Sequence, residues 1–321
     1  MKKLILFTTL FPYIAFAYFN HYTTIENIEL PYLVIPGTNH HENLFLYLDG
    51  DGDICEVLED GTNFTDYNKR LKRWQNNASI YSAVGNWVYP KIYYHDFCEK
   101  NQHLDGVGFS YRIKETNLLI SQIEKDFPHV KNIYLFGFSA GPIVGAEILK
   151  TNPSKKLKGL IIGGISSNSF RQYLPSFMMR LGNQLNIDQN IINQSIVRTQ
   201  SLFDQTLKEC SPFKKTMVGA FQFIGDPTPS TNIINATRTD NHYCEYTNTD
   251  FSKTITELPN HYKFFVFQGE NDPVHTVDAA YDTFNLILAS GKTSHFHIMK
   301  GIGHTFRADE LVDQIKVWLK L

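Results

Sequence analysis

Ser139 stands in Gly137-Phe-Ser139-Ala-Gly141, a G-x-S-x-G pattern between the apolar run Ile133-Tyr-Leu-Phe136 and a helical pattern that begins at Pro142. A strand that runs through small glycines into a helix makes a turn sharp enough to project one side chain from the sheet edge, so Ser139 is the candidate nucleophile. Pro142 in the first helical turn gives up no hydrogen bond that the helix needs. A serine hydroxyl attacks a carbonyl only when a base takes its proton and an acid orients that base. Both residue types follow in the chain. Asp272 comes after the run Phe264-Phe-Val-Phe267, and His304 comes after His295-Phe-His-Ile-Met299 on the glycine-flanked segment Gly301-Ile-Gly303.

Those side chains need a scaffold that delivers strand ends to one edge. Short apolar runs alternate with longer helical patterns along the chain, which predicts an α/β fold: a mostly parallel central sheet flanked by crossover helices. Strands are predicted at Leu44 to Leu48, Val88 to Tyr94, Ile133 to Phe138, Leu157 to Ile162, Phe264 to Phe267 and His295 to Met299. Helices are predicted at Thr65 to Arg73, Lys114 to Lys125, Pro142 to Lys150, Val277 to Leu288 and Ala308 to Leu319. Residues 166–262 break the alternation and read as an inserted cap between two sheet strands, leaving 18–165 and 263–321 as the core. Eight basic and eight acidic residues give this insertion no net charge, so it does not advertise a charged polymer as substrate.

The order Ser139, Asp272, His304, each after a strand, resembles the α/β-hydrolase superfamily over most of the chain. The loop Asp105-Gly-Val-Gly108-Phe-Ser110 is similar to a D-x-x-G-x-S-like loop of such enzymes. The resemblance implies that Ser139 is the nucleophile, His304 the base and Asp272 the acid. It also implies that Asp49-Gly50-Asp51-Gly52 takes the place of the family's H-G-x-G loop, so that the amides of Asp51 and Ala140 form the oxyanion hole. The rival for that stretch is a calcium loop, since Asp49, Asp51 and Asp53 alternate. Such a loop wants glycine at its sixth position and an apolar residue at its eighth, where this chain has Ile54 and Glu56. In the family's sheet the strands before Cys55 and Cys98 are neighbours, and Cys210 and Cys244 share the cap, which implies disulfides Cys55–Cys98 and Cys210–Cys244. No metal or organic cofactor is required.

Each role has competitors. Glu270 competes with Asp272, and His275, His295 and His297 compete with His304. His295 and His297 alternate within a strand, where a paired histidine is the ordinary expectation, and a metal site built from them with His304 is disfavoured. His40 and His41 lie in a polar turn. Trp74, Trp87 and the stripe Leu174, Phe177, Met178, Leu181 read as core, with an apolar wall for an acyl chain as their functional alternative.

Composition bounds the setting. Lys2 and Lys3, an apolar stretch to Ile14 and Ala15-Phe-Ala17 have the layout of a signal peptide cleaved after Ala17, leaving 304 of 321 residues. About 15 apolar residues interrupted by Pro12 fall short of the roughly 20 that span a bilayer, and no other run approaches that length. Loss of the two lysines takes the formal charge from −2 to −4, with no basic block to bind nucleic acid or an anionic membrane. Four cysteines, all beyond Ala17, suit a secreted or periplasmic protein with two disulfides. The sequons at Asn63, Asn77, Asn193 and Asn235 are near chance in a chain this rich in asparagine. The expectation is an exported serine hydrolase acting on a neutral, small-molecule or lipid-like acyl compound. A peptidase of the same mechanism and a catalytically silent binding protein are the alternatives. If the three loop aspartates crowd the mouth of the site, neutral esters should outpace anionic ones.

Overall fold

The computed structural model describes residues 17–50, 55–57, 63–65, 67–92, 108–165, 170–214, 216–217, 223–225 and 240–321. The predicted leader therefore lies outside the described residues except at Ala17, as do Asp51, Asp53, Cys98 and Asp105. In chain order the elements are β1 (Tyr18–Thr23), β2 (Glu29–Ile35), β3 (Asn43–Leu48), β4 (Cys55–Val57), β5 (Asn63–Thr65), α1 (Tyr67–Asn76), α2 (Ala78–Tyr81) and β6 (Asn86–Pro90). There follow α3 (Phe109–Asp126), β7 (Asn132–Phe138), α4 (Gly141–Thr151), β8 (Leu157–Gly163), α5 (Phe170–Gln184), α6 (Gln189–Glu209), α7 (Asp240–Asn248) and α8 (Phe251–Glu257). The chain closes with β9 (Lys263–Gly269), α9 (Val277–Ala289), β10 (Thr293–Met299) and α10 (Ala308–Leu319).

Eight strands form one sheet in the order β1-β2-β6-β3-β7-β8-β9-β10, while β4 and β5 pair separately. From β6 to β10 the neighbours run parallel, and β1 and β2 add an antiparallel edge. The six predicted strands are the parallel ones. The antiparallel pair was not predicted. β1 carries polar residues and is largely exposed, and Pro31 in β2 argues against a regular strand because it lacks an N–H for the ladder.

The central strands read as continuous apolar runs because helices cover both faces. Along β3 the side chains alternate between two cores. Leu44, Leu46 and Leu48 face a cluster that includes Ile120 and Ile123 of α3, Val144 and Ile148 of α4, and Ile287 of α9. Phe45 and Tyr47 face the other, with Trp74 of α1, Tyr81 of α2 and Leu311, Ile315 and Trp318 of α10. Full burial of such a side chain contributes roughly 1.5–3 kcal/mol. Trp74 and Trp87 are thus core residues, their rings 5.6 Å apart.

The described residues between β8 and β9 form mainly helices, with a third apolar cluster of their own. Leu174, Phe177 and Met178 of α5 pack there with Ile192 and Phe203 of α6 and Tyr243 of α7, so these stripe residues are core. A disulfide joins Cys210, at the end of α6, to Cys244 of α7. Phe251 and Ile255 of α8 leave that cluster and belong to the sheet's core. No helix among the described residues is long and apolar enough to cross a membrane.

Candidate active site

Ser139 lies at the junction of β7 and α4. Ser139 has φ 57°, in the left-handed region that non-glycine residues rarely adopt, and its N–H donates to the Gly163 carbonyl at 2.9 Å. The turn is crowded enough to need small residues on both sides. A Cβ at Gly137 would lie 2.3 Å from the Pro142 nitrogen, and one at Gly141 would lie 2.0 Å from the Leu48 carbonyl oxygen. Ala140 precedes the first residue of α4 and is buried, so the positive end of that helix faces the turn.

Leu48, Asp49 and Gly50 run past this turn from the end of β3. Asp49 is buried, and its Oδ1 accepts from the Arg70 guanidinium at 2.6 Å, from the Gly50 amide at 2.9 Å and from the Tyr47 hydroxyl at 3.1 Å. The Arg112 guanidinium donates to the Asp49 carbonyl. Two arginines from α1 and α3 thus hold this loop from either side. Asp51, the predicted second amide donor, lies outside the described residues.

Asp272 and His304 meet at the ends of β9 and β10. His304 Nδ1 is 2.8 Å from Asp272 Oδ2. The other donors to that carboxylate are the Gln268 amide, 2.7 Å from Oδ2, and the backbone N–H groups of Val274 at 2.7 Å and His275 at 3.0 Å, both on Oδ1. Gln268 Nε2 also donates to the His275 carbonyl at 2.8 Å, so both of its neighbours are acceptors and the orientation of its amide is fixed. Burial by itself would raise the Asp272 carboxyl, but the hydrogen bond and charge of His304 and the His275 amide outweigh it, and the group sits below the usual carboxylate range. With Nδ1 donating to Asp272, the imidazole keeps Nε2 free to accept a proton. The ring packs 4.9 Å from the Phe138 ring, beside Ser139, and a Cβ at Gly164 would stand 3.0 Å from its Cε1.

The competitors are engaged elsewhere. Glu270 accepts from the Gly301 amide at 2.9 Å, bracing the β10–α10 loop. His295 and His297 pair with Gln314 and Glu310 of α10 at 3.0 and 2.6 Å. His275 is near the pair, its ring centre 6.0 Å from that of His304, and is buried. Burial chiefly, with repulsion from His304 and Arg180 and against attraction by Asp272, pushes it down to about 3, so it is neutral. Sequence reasoning did not find Gln268, although a glutamine in the buried run Phe264-Phe-Val-Phe267-Gln268 was a signal, because a buried polar side chain needs partners. Nothing in the sequence singled out Arg70, Arg112 or Arg180.

No protein-family model matches the chain, and no curated protein matches it in sequence. Solved structures do match in architecture. A carboxyl esterase from Bacillus coagulans, in complex with glycerol, is 14% identical at a TM-score of 0.56, over 95% of this chain and 98% of that one. A Pyrococcus furiosus esterase is 12% identical at 0.53, over 96% and 91%. The Pyrococcus horikoshii acylaminoacyl peptidase is 14% identical at 0.50, over 95% of this chain and 40% of the larger one. With its sheet order, its two helical layers and this likeness, the chain has the α/β-hydrolase fold.

Proposed function

We propose that the protein is an exported serine hydrolase that cleaves a neutral carboxylic ester or related acyl compound. The observation that carries this reading is the Asp272–His304 hydrogen bond, its imidazole packed on Phe138 next in the chain to Ser139, a serine held at positive φ between strand and helix. Strained backbone of this kind persists where the surroundings over-determine it, and it clusters at active sites.

In this mechanism Ser139 Oγ attacks the substrate carbonyl carbon while its proton passes to His304 Nε2. The resulting imidazolium is stabilised by Asp272, which stays ionised. The amides of Ala140 and Asp51 hold the developing oxyanion, an arrangement worth roughly 2.7–4 kcal/mol per donor. Collapse of the tetrahedral intermediate expels the alcohol, which takes the proton from His304, and leaves Ser139 acylated. Water, deprotonated by His304, then attacks the acyl carbonyl, and collapse breaks the bond to Ser139 Oγ, which takes the proton back from His304 as the acid is released. The esterase neighbours support an ester as substrate, residues 166–262 would form the cap over it, and the Cys210–Cys244 disulfide supports an oxidising compartment.

A fluorophosphonate probe and a panel of p-nitrophenyl esters of graded chain length test this reading. Labelling and hydrolysis should both vanish in Ser139→Ala, and the chain-length profile should report the acyl pocket. Labelling that persists in the variant overturns the assignment of Ser139. Faster turnover of matched anilides than of esters makes the enzyme an amidase instead.

A further inference from the structure

We propose that Arg180 of the helical insertion is a positioning residue for the Asp272–His304 pair, acting through two peptide units. Arg180 lies on α5, 93 positions before Pro273. Its Nε donates to the Pro273 carbonyl at 3.0 Å and its Nη2 to the Val274 carbonyl at 2.6 Å. The first carbonyl shares a peptide plane with the Val274 N–H, and the second shares one with the His275 N–H. Those two N–H groups are the pair that donates to Asp272 Oδ1. A single guanidinium thus binds the oxygen end of both amides whose nitrogen ends hold the acid.

Three physical consequences follow. Hydrogen bonds in series polarise one another, so a cation on each carbonyl strengthens the N–H bond to the carboxylate at the far end. The planar fork of arginine fixes two adjacent carbonyls at once, which orients the turn and not merely one atom of it. Among the described residues the hydrogen bonds of the guanidinium go to these two carbonyls and not to a carboxylate, so its charge faces the acid turn; burial lowers its affinity for its proton, and attraction by Asp272 opposes that. Val274 also packs against the apolar cluster of the insertion, so the same turn is held to that segment by a side chain as well as by Arg180. The placement of the acid therefore depends on the insertion and not on the sheet alone.

This inference rests on the hydrolase reading, and its test separates the two. In Arg180→Met the kcat for a p-nitrophenyl ester should fall about 10- to 100-fold while KM stays within about threefold, the scale expected for a misplaced catalytic group. Arg180→Lys, a point donor that cannot bridge two carbonyls, should recover part of the loss. The second readout does not need turnover: the far-downfield proton resonance of His304 Nδ1–H, assigned by its absence in His304→Gln, should move upfield or broaden in Arg180→Met. If that variant does not fold, Arg180→Lys and Arg180→Gln carry both measurements. Unchanged kcat with an unchanged resonance overturns the proposal, as does a raised KM with kcat and resonance held, which would make Arg180 a substrate contact. If the wild type turns over no ester or anilide, the hydrolase reading fails, and the resonance still decides whether Arg180 positions the pair.

Discussion

Gly50 lies so close to Ser139 that a Cβ on it would stand 2.6 Å from the serine Cβ and 3.1 Å from its Oγ. The turn at Ser139 has no room to yield, since Gly141 is equally tight against the Leu48 carbonyl. Gly50→Ala should therefore displace the loop or the serine, lowering kcat about 100-fold and stability by about 1–3 kcal/mol. Steady-state kinetics with a urea titration checks this, and a variant with wild-type kcat would show that the contact is slack.

The Asp49–Arg70 pair bears on both stability and substrate charge. Arg70→Met removes the charge that faces a carboxylate whose side chain is only 5% exposed. Because Arg70 itself is partly solvated, the expected cost is about 1–3 kcal/mol, less than for a fully buried pair. Asp49→Asn in the same chain should recover part of it, as a double-mutant cycle would measure. With its charge offset by Arg70, Asp49 adds little repulsion at the mouth of the site. The ratio of acetate to hemisuccinate turnover should accordingly stay within about twofold when the pair is removed together, in Arg70→Met with Asp49→Asn, and a collapse of that ratio would assign the discrimination to the pair.

His275 predicts a slope in stability. Its folded pKa of about 3 lies below the unfolded value near 6.5, so between those limits the unfolded chain binds a proton that the folded one does not. Stability should then fall as pH drops through that window, by up to about 1.4 kcal/mol per pH unit. Asp272 adds a loss only below about pH 4, because its depressed carboxyl stabilises the fold above the unfolded pKa and gives that up as pH falls through the folded one. Urea midpoints measured from pH 7 to 4 should be flatter in His275→Asn; identical slopes would remove His275 as the cause.

The Cys210–Cys244 disulfide closes a span of 34 residues between α6 and α7. Its loss should cost about 2–4 kcal/mol, mostly by freeing the unfolded segment. Replacing both cysteines with alanine and comparing thermal melts with and without reductant checks this, since the double variant should lose its response to reductant at that bond. Non-reducing peptide mapping would test Cys55–Cys98, of which the described residues show only that β3 and β6 are neighbours.

Local pattern carried much of this protein. The strand–glycine–serine–glycine–helix sequence around Ser139 is readable because each step is a near-neighbour constraint, and six parallel strands are readable because a strand covered on both faces must be apolar throughout. The chain order of Ser139, Asp272 and His304 pointed to strand ends at one edge of a sheet. Other relationships were invisible for a shared reason. The pairing of β1 with β2 depends on sheet-edge hydrogen bonds that Pro31 and polar side chains disguise. The hydrogen bonds of Arg70 with Asp49, Gln268 Nε2 with Asp272 and Arg180 with the carbonyls of Pro273 and Val274 depend on particular atoms brought together in the folded chain. No periodicity encodes which carbonyl a guanidinium reaches 93 residues away. Tertiary packing alone decided that, because a polar group leaving water must find a partner wherever the fold places one.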